Sequence, residues 1–588
     1  MSYSTPGPWA QRLLRPASAS PRDIRLDWMW LLGCALLLIA TGIGLRDPWP
    51  ADEPRFALVA RDMVASGDWL LPRVGGEVYA DKPPLFFWLI ALGLETTHSL
   101  RVAFLLPSLL AAIGCVLLVY DLARRLWNRE TGLVAGLALL LTVQFVWQAR
   151  QAQIDATLCF WTTLSLYGLL RHLLLGPQWR WYAIGWAAAG FGVITKGVGF
   201  LPLLILIPFA LLRGPKWSPR AVTGASAPWL FGPFAFLLAV SVWLVPMLLA
   251  ANADPQLAAY RDEILFQQTV DRYANAWHHR EPFWYFLVQV IPWLWLPWTL
   301  LLPWLIPQWR NSLRQHDLRI ALPLSWIALV VLFFSFSSGK RGVYVLPAVP
   351  AFALTCAPYL AEIARRRVAQ RALFILTALV SVASVLTAIY LLMRPDKRSD
   401  VIAFYGLDAL GPTVLIAIAA GLACIIARPS RGYIAFGGVL AVVLWVISFW
   451  VNPAMNPNRS GAAFVARVEQ LADANRELGL VAFKEQYLLN VHRPIVHFGH
   501  ARWREADREA ADAAAWLVGG ANRQLVVSEF ARALCFKDAK PQSLGAANRI
   551  EWFIVRDGAD PACVARGKPE VARRYDPAAA PAGMRLST

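Results

Sequence analysis

Residues 52–84 read DEPRFALVARDMVASGDWLLPRVGGEVYADKPP, a polar stretch set inside an otherwise apolar N-terminal half. It opens with adjacent carboxylates, Asp52 and Glu53, followed by Arg55. It closes with Tyr79, Asp81 and Lys82 just before a Pro-Pro helix start. Those side chains suit proton transfer at one end and anion binding at the other. The composition says what carries such a loop: of 588 residues, 57% are hydrophobic and 16% charged, with 28 Trp. That balance excludes an ordinary soluble protein and predicts a polytopic α-helical membrane protein.

A hydrocarbon core about 30 Å thick needs about 20 apolar residues per helical span. Working outward from the loop, runs of this kind fall near 27–46, 101–123, 131–148, 156–173, 181–194, 198–212, 228–250, 284–305, 320–337, 344–362, 371–393, 410–427 and 432–451, thirteen in all. Alternate connections collect the basic residues: Arg124, Arg125 and Arg129, then Arg171 and Arg180, then Arg213, Lys216 and Arg220, and later Arg365, Arg366 and Arg367. By the positive-inside rule that face is cytoplasmic. The alternation holds only if residues 84–98 are not a full span, so they are expected to form a short interfacial or re-entrant helix beneath the first outer loop. Residues 1–26, with Arg12, Arg15, Arg22 and Arg25, are expected in the cytoplasm.

The expected organisation is thus a cytoplasmic segment 1–26, a multi-span domain 27–451 with its active outer loop at 47–100, and a periplasmic α/β domain 452–588. In that last part short strand-like runs (GLVAFK, PIVHF, RQLVVSEF, IEWFIV) alternate with helical patterns. Cys535 and Cys563 lie there and could pair in an oxidising compartment, whereas Cys34, Cys115, Cys159, Cys356 and Cys424 fall within spans.

The net charge of +18 follows from the orienting loops. No zinc-finger spacing, Walker-type loop or dinucleotide fingerprint accompanies it, so no nucleic acid partner is expected.

On the outer face, further polar groups join the first loop. Asp155 starts an apolar helix, where an N-cap is the plain alternative to chemistry. Lys196 sits in Ile194-Thr-Lys-Gly197. Arg272, Tyr273, His278, His279 and Arg280 fall in the stretch 251–283, and Lys340, Arg341 and Tyr344 join two later spans. Cations placed against the orientation signal need another reason to exist. Phosphate binding is one, and contact with anionic lipid headgroups is the other. Two carboxylates and several cations around an outward cavity suggest transfer chemistry on a lipid-linked phosphate.

The pattern from Asp52 to Pro83, together with the Asp155 loop, Thr195-Lys196-Gly197, His279-Arg280-x-Pro-Phe-Trp-Tyr and Gly339-Lys340 to Tyr344, resembles the bacterial lipid-linked-sugar glycosyltransferases of the GT-C class. It is most similar to the aminoarabinose transferase and protein mannosyltransferase-like family. The resemblance covers the membrane region to about residue 360. It implies inverting transfer of a sugar from polyprenyl (undecaprenyl) phosphate, on the periplasmic face of the inner membrane, to lipid A or another envelope glycan or protein. It makes Asp52 the leading catalytic carboxylate and Asp155 its partner. Lys82, Arg272 and Tyr344 would hold the donor phosphate with help from Lys340, and Tyr79 would line the cavity. Glu53 and Arg55 would support the loop, with Asp81, Lys196 and His279 around it.

The sequence departs from the aminoarabinose-transferase pattern in two places. Asp81 stands where Glu is common, and Gln268 and Thr269 stand where a Glu-His pair is common. No cofactor is therefore implied, and the need for a divalent metal is open. A lipid-linked-sugar transporter is the competing class, and no repeated halves of the transporter kind are visible in the chain.

Overall fold

A computed structural model describes residues 20–212, 227–265, 280–482, 484–500 and 505–577. Among these, eight helices are long and apolar enough to cross a membrane: Leu100–Leu126, Ile154–Leu175, Pro228–Ala251, Leu318–Phe336, Gly342–Ile363, Arg367–Met393, Leu410–Ala427 and Gly432–Leu471. A ninth arises if Phe286–Leu294 and Trp298–Arg314, bent by 103°, count as one span. The other four expected spans are also helical but shorter or interrupted. Pro21–Ala35 runs on as the wider π turn Leu36–Ala40, and Arg129–Leu140 breaks before Val143–Gln148. Trp179–Thr195 and the pair Gly197–Ile205 and Leu206–Leu212 follow one another across Lys196.

Freed backbone groups inside a membrane must find partners within the protein. At the break after Leu140, Val143 N–H donates to Leu296 O (3.0 Å), and Trp298 Nε1 donates to Ala138 O (2.8 Å). The bent segment thus satisfies the broken one.

Six helices position the site: α1 (Pro21–Ala35), α2 (Glu53–Ser66), α3 (Leu85–Thr97), α4 (Ile154–Leu175), α5 (Trp179–Thr195) and α6 (Glu485–Asn490). The loop helix α2 ends at Gly67, whose φ of 71° admits the left-handed cap that closes the helix. Asp68 then accepts from Leu70 N and Leu71 N, turning the chain. A hairpin follows, β1 (Arg73–Val74) and β2 (Glu77–Val78), joined by Gly75-Gly76 with both φ positive. Helix α3 has 13 residues, about 20 Å at 1.5 Å per residue, too short to span. It packs under α2 through Phe86 and Phe87, whose ring centroids lie 5.5 and 5.7 Å from Phe56. This is the position expected for residues 84–98.

Glycines set how closely α4 and α5 approach. A Cβ on Gly168 would stand 2.4 Å from Trp181 O, and one on Gly185 would stand 2.9 Å from Ser165 O. Beyond Lys196 the chain folds back so tightly that a Cβ on Gly199 would stand 1.9 Å from Gly192 C. Asp155 and Lys196 are thereby brought to the same end of the helix pair.

At the end carrying the basic connections, Asp27 of α1 takes two hydrogen bonds from Arg129 (2.7 and 2.6 Å) and one from Tyr120 OH (2.7 Å). Asp121 accepts from Arg124, Arg125 and Tyr167.

Residue 452, the expected boundary, lies within a helix that runs from Gly432 to Arg459 through the wider turn Ile447–Val451, and Ser460-Gly461, with Gly461 at φ 81°, separates it from Ala462–Leu471. The C-terminal region folds as a six-stranded sheet of β3 (Glu477–Leu480), β4 (Ile495–His497), β5 (Arg523–Ser528), β6 (Gln542–Ala547), β7 (Ile550–Val555) and β8 (Arg573–Tyr575), in the order β6-β7-β5-β3-β4-β8. β3 runs parallel to β4 and β5, and the outer pairs are antiparallel. Four of these strands match the sequence runs, whereas β6 and β8 carry too few apolar residues to stand out. One face is covered by the helix Ala506–Val518 through Ala510, Ala514 and Trp516. The other shares a core with the first loop: Leu478, Leu480, Val526 and Trp552 join Phe56, Val59 and Met63. Cys535 and Cys563 form a disulfide, with Cα atoms 5.8 Å apart.

Candidate active site

Asp52 precedes α2 with φ −102° and ψ −33° and makes no side-chain hydrogen bond to the helix N-terminus, so the N-cap alternative does not describe it. Its carboxylate meets two guanidiniums instead. Arg341 NH2 donates to Oδ2 at 3.1 Å, and Arg55 NH1 lies 3.9 Å from Oδ1. Asp155 is not a cap either, because α4 begins after Gln153 and has no side-chain cap. Its Oδ1 accepts from Lys196 Nζ at 2.6 Å. Lys196 Nζ also lies 4.5 Å from the Tyr344 ring centroid, and Asp155 and Tyr344 both contribute to the field at Arg341. Asp52, Asp155, Lys196, Arg341 and Tyr344 therefore form one electrostatic cluster from four separate stretches of chain.

The two neighbours of these residues behave differently from them. Glu53, beside Asp52, is 7% exposed and bonds both terminal nitrogens of Arg46, as well as Trp49 N (2.9 Å) and Ala152 N (2.9 Å). Lys340, beside Arg341, was expected at the donor phosphate. Its ammonium donates to Glu281 O (2.8 Å) and Ser337 O (2.7 Å), tying two connections together. Arg341 takes the place in the cluster.

Tyr79 is buried against Phe87 and His500. Burial and then Asp81 raise its phenol well above the ordinary range. Burial opposes the charge on Arg55, but Tyr79 and Glu485 overcome that and hold its proton more firmly than usual. Lys82 Nζ donates to Asp81 O at 3.0 Å. Asp81 also acts on Glu263, whose carboxyl is raised by burial first and by Asp81 second.

Among the described residues no three His, Cys, Asp or Glu side chains converge. Arg272 and His279 lie outside the described residues.

Sequence reading missed Arg46, Glu485 and the docking of the hairpin on the C-terminal sheet. There, Arg61 donates to Leu488 O (3.0 Å), Leu489 O (3.2 Å) and Tyr575 OH. His497 Nε2 meets Gly75 O (2.8 Å), and Arg573 pairs with Glu77 (2.8 Å). Tyr575 OH and Gly75 N–H both donate to Asp62, each at 3.2 Å.

Burial pushes the Asp62 carboxyl up to about 6, against the pull of Arg61, Tyr575 and Gly75. The ordinary value is about 3.9. The folded state thus keeps a proton that the unfolded chain loses, so this contribution to stability is full below about pH 4 and is lost as pH rises through 6. Relative to Asp62→Asn, the wild type should weaken by about 1–2 kcal/mol from pH 4 to 6, after discount for partial solvent contact. Hydrogen exchange of the 73–78 hairpin reads this, and a difference that stays flat over that range would refute it.

The protein is thus a helical membrane domain whose loop, headed by adjacent carboxylates, packs against a C-terminal α/β domain. The comparisons agree. A family model described as dolichyl-phosphate-mannose-protein mannosyltransferase matches residues 81–245. Among curated relatives, undecaprenyl phosphate-alpha-4-amino-4-deoxy-L-arabinose arabinosyl transferase of Pseudomonas aeruginosa is 34% identical over 339 residues, 55% of this chain and 58% of that one. The corresponding transferase 2 of Sodalis glossinidius is 31% identical over 368 residues, covering 60% and 64%. The alignments thus span about three-fifths of the relatives' length. The crystal structure of ArnT from Cupriavidus metallidurans bound to undecaprenyl phosphate matches with a TM-score of 0.70 at 21% identity, covering 92% of this chain and 100% of that one. In fold this is a GT-C protein, and its sequence is similar to the aminoarabinose transferases.

Proposed function

We propose that this protein is an inverting glycosyltransferase that moves 4-amino-4-deoxy-L-arabinose from undecaprenyl phosphate to lipid A on the periplasmic face of the inner membrane. The observation that carries the reading is Asp52: a carboxylate between two guanidiniums that caps no helix, at the head of the loop most like the aminoarabinose transferases. In the reaction Asp52 takes the proton of the attacking acceptor oxygen. That oxygen bonds to the anomeric carbon from the face opposite the leaving group. The bond from that carbon to the phosphate oxygen breaks, and its electron pair leaves with undecaprenyl phosphate. Lys82, Arg272 and Tyr344 hold the donor phosphate, and Arg341 adds a bidentate cation within reach. Lys196, which donates to Asp155, is a further cation for that phosphate.

The alternating basic connections support a periplasmic outer face. The Cys535–Cys563 disulfide supports the same orientation for the C-terminal domain, because such bonds persist in oxidising compartments. A fusion at residue 588 to a reporter active only in the periplasm should be active. Activity of a cytoplasm-only reporter there would remove the outer-face argument.

Purified protein in lipid vesicles, given labelled undecaprenyl-phosphate aminoarabinose and lipid A, should produce lipid A of higher mass. Movement of label across the bilayer without a new bond would make the protein a transporter instead. Lys82→Ala should weaken donor binding by roughly a hundredfold or more, as for removal of one partner from a desolvated charge pair. Unchanged donor affinity would place the phosphate elsewhere.

A further inference from the structure

Among the contacts between the C-terminal domain and the loop, one runs to the side chain beside Asp52. Arg55, on the first turn of α2, sends Nε to Glu485 Oε1 at 2.7 Å, and Glu485 opens α6 in the C-terminal domain. Both side chains are largely withdrawn from water, 24% exposed for Arg55 and 11% for Glu485. Arg55 also bonds Tyr79, and His500 Nδ1 stands 3.7 Å from Glu485 Oε1. The Asp52 carboxylate is a further neighbour of this guanidinium, with Oδ1 3.9 Å from NH1.

A guanidinium is a rigid planar fork, so the edge given to one carboxylate limits what the other can receive. At 3.9 Å, Arg55 gives Asp52 a compensating charge but no hydrogen bond. The Oδ1 lone pairs of Asp52 are therefore available to take a proton. Without Glu485, the same fork would turn onto Asp52 and close a two-bond pair with it, the stable arrangement for arginine and carboxylate. A base held in that way is a poorer base.

We propose that Glu485 is a positioning residue, which keeps Arg55 turned away from Asp52 and so lets the C-terminal domain control the reactivity of the catalytic carboxylate. This rests on the transfer reading above, in which Asp52 is the base. It also gives the domain a task within the site rather than only above it.

The test is a double-mutant cycle of Glu485→Gln and Arg55→Ala, with Glu485→Asp as the conservative variant, each checked for monodispersity in detergent. Glu485→Gln should lower kcat about tenfold, short of the ~10²–10⁴-fold expected for a lost acid–base group, and leave KM for the donor unchanged. Glu485→Asp should recover most of that loss. In the Arg55→Ala background, Glu485→Gln should change nothing further, because its effect passes through Arg55.

An equal loss with and without Arg55 would make Glu485 a mere docking contact and overturn the proposal, as would a Glu485→Gln enzyme with wild-type kcat. A second readout does not depend on turnover: amine coupling by a water-soluble carbodiimide, followed at Asp52 by peptide mass spectrometry. Coupling at Asp52 should fall several-fold in Glu485→Gln and return in the double variant. Unchanged coupling refutes the positioning claim even if the wild type transfers no sugar, and failure of transfer alone refutes only the function proposed above.

Discussion

Asp52→Asn should leave the protein folded and inserted and lower the rate of sugar transfer by about 10²–10⁴-fold, the usual cost of losing a general base. The variant separates chemistry from architecture because Asn keeps the shape of Asp and still offers Arg341 an oxygen acceptor. A structural role would cost about 0.5–2 kcal/mol through a lost helix cap. That loss is not expected here, since Asp52 makes no cap hydrogen bond. Donor affinity should change little or rise, because removal of a carboxylate leaves more positive charge for the phosphate. The measurement is single-turnover transfer with saturating undecaprenyl-phosphate aminoarabinose, alongside a thermal stability assay. Near wild-type transfer would move the search to Asp155, whose partner Lys196 would then have to be displaced before it could act as a base.

Much of the architecture was legible because membrane spans and their orientation are written in long-range composition. Each of the thirteen apolar runs meets a helix, and residues 84–98 form the short helix that the basic-loop alternation requires. The turns that shape the loop, Ser66-Gly67-Asp68 at the end of α2 and Gly75-Gly76 in the hairpin, were not read from the sequence, although glycine stands at both. Side-chain direction was not legible either. Lys340 and Arg341 were both marked as cations on the sparsely basic face. Neighbours on an extended chain point to opposite sides, and only Arg341 reaches Asp52 while Lys340 turns to backbone carbonyls. Glu485 left no signal at all. It sits in a short helix 430 residues from Arg55, and nothing in its own neighbourhood marks it as different from any surface glutamate.

The same limit hid the partners of Glu53, expected only to support the loop, whose replacement should have the largest effect on stability. Its carboxylate accepts from both terminal nitrogens of Arg46, from Trp49 N and from Ala152 N, and both Glu53 and Arg46 are nearly inaccessible to water. Glu53→Ala would leave a buried guanidinium without a counter-ion, a loss of about 3–5 kcal/mol. Two main-chain N–H groups would also lose their acceptor, at about 1–3 kcal/mol each where water cannot replace it. Glu53→Gln, which keeps an oxygen but not the charge, should fall between the wild type and Ala. Removing both charges together, as Arg46→Met with Glu53→Met, should restore part of the loss, since the uncompensated charge is then gone. Thermal unfolding in nanodiscs measures the series, and a Glu53→Ala protein as stable as the wild type would show that the pair is dispensable. Activity should fall even in the fraction that stays folded. Ala152 stands three residues before Asp155, and Glu53 follows Asp52 directly, so the Glu53 contacts fix the separation of the two carboxylates across the site. A loss of transfer in Glu53→Ala at a temperature where the protein remains folded, with donor binding retained, is the result that this geometry requires.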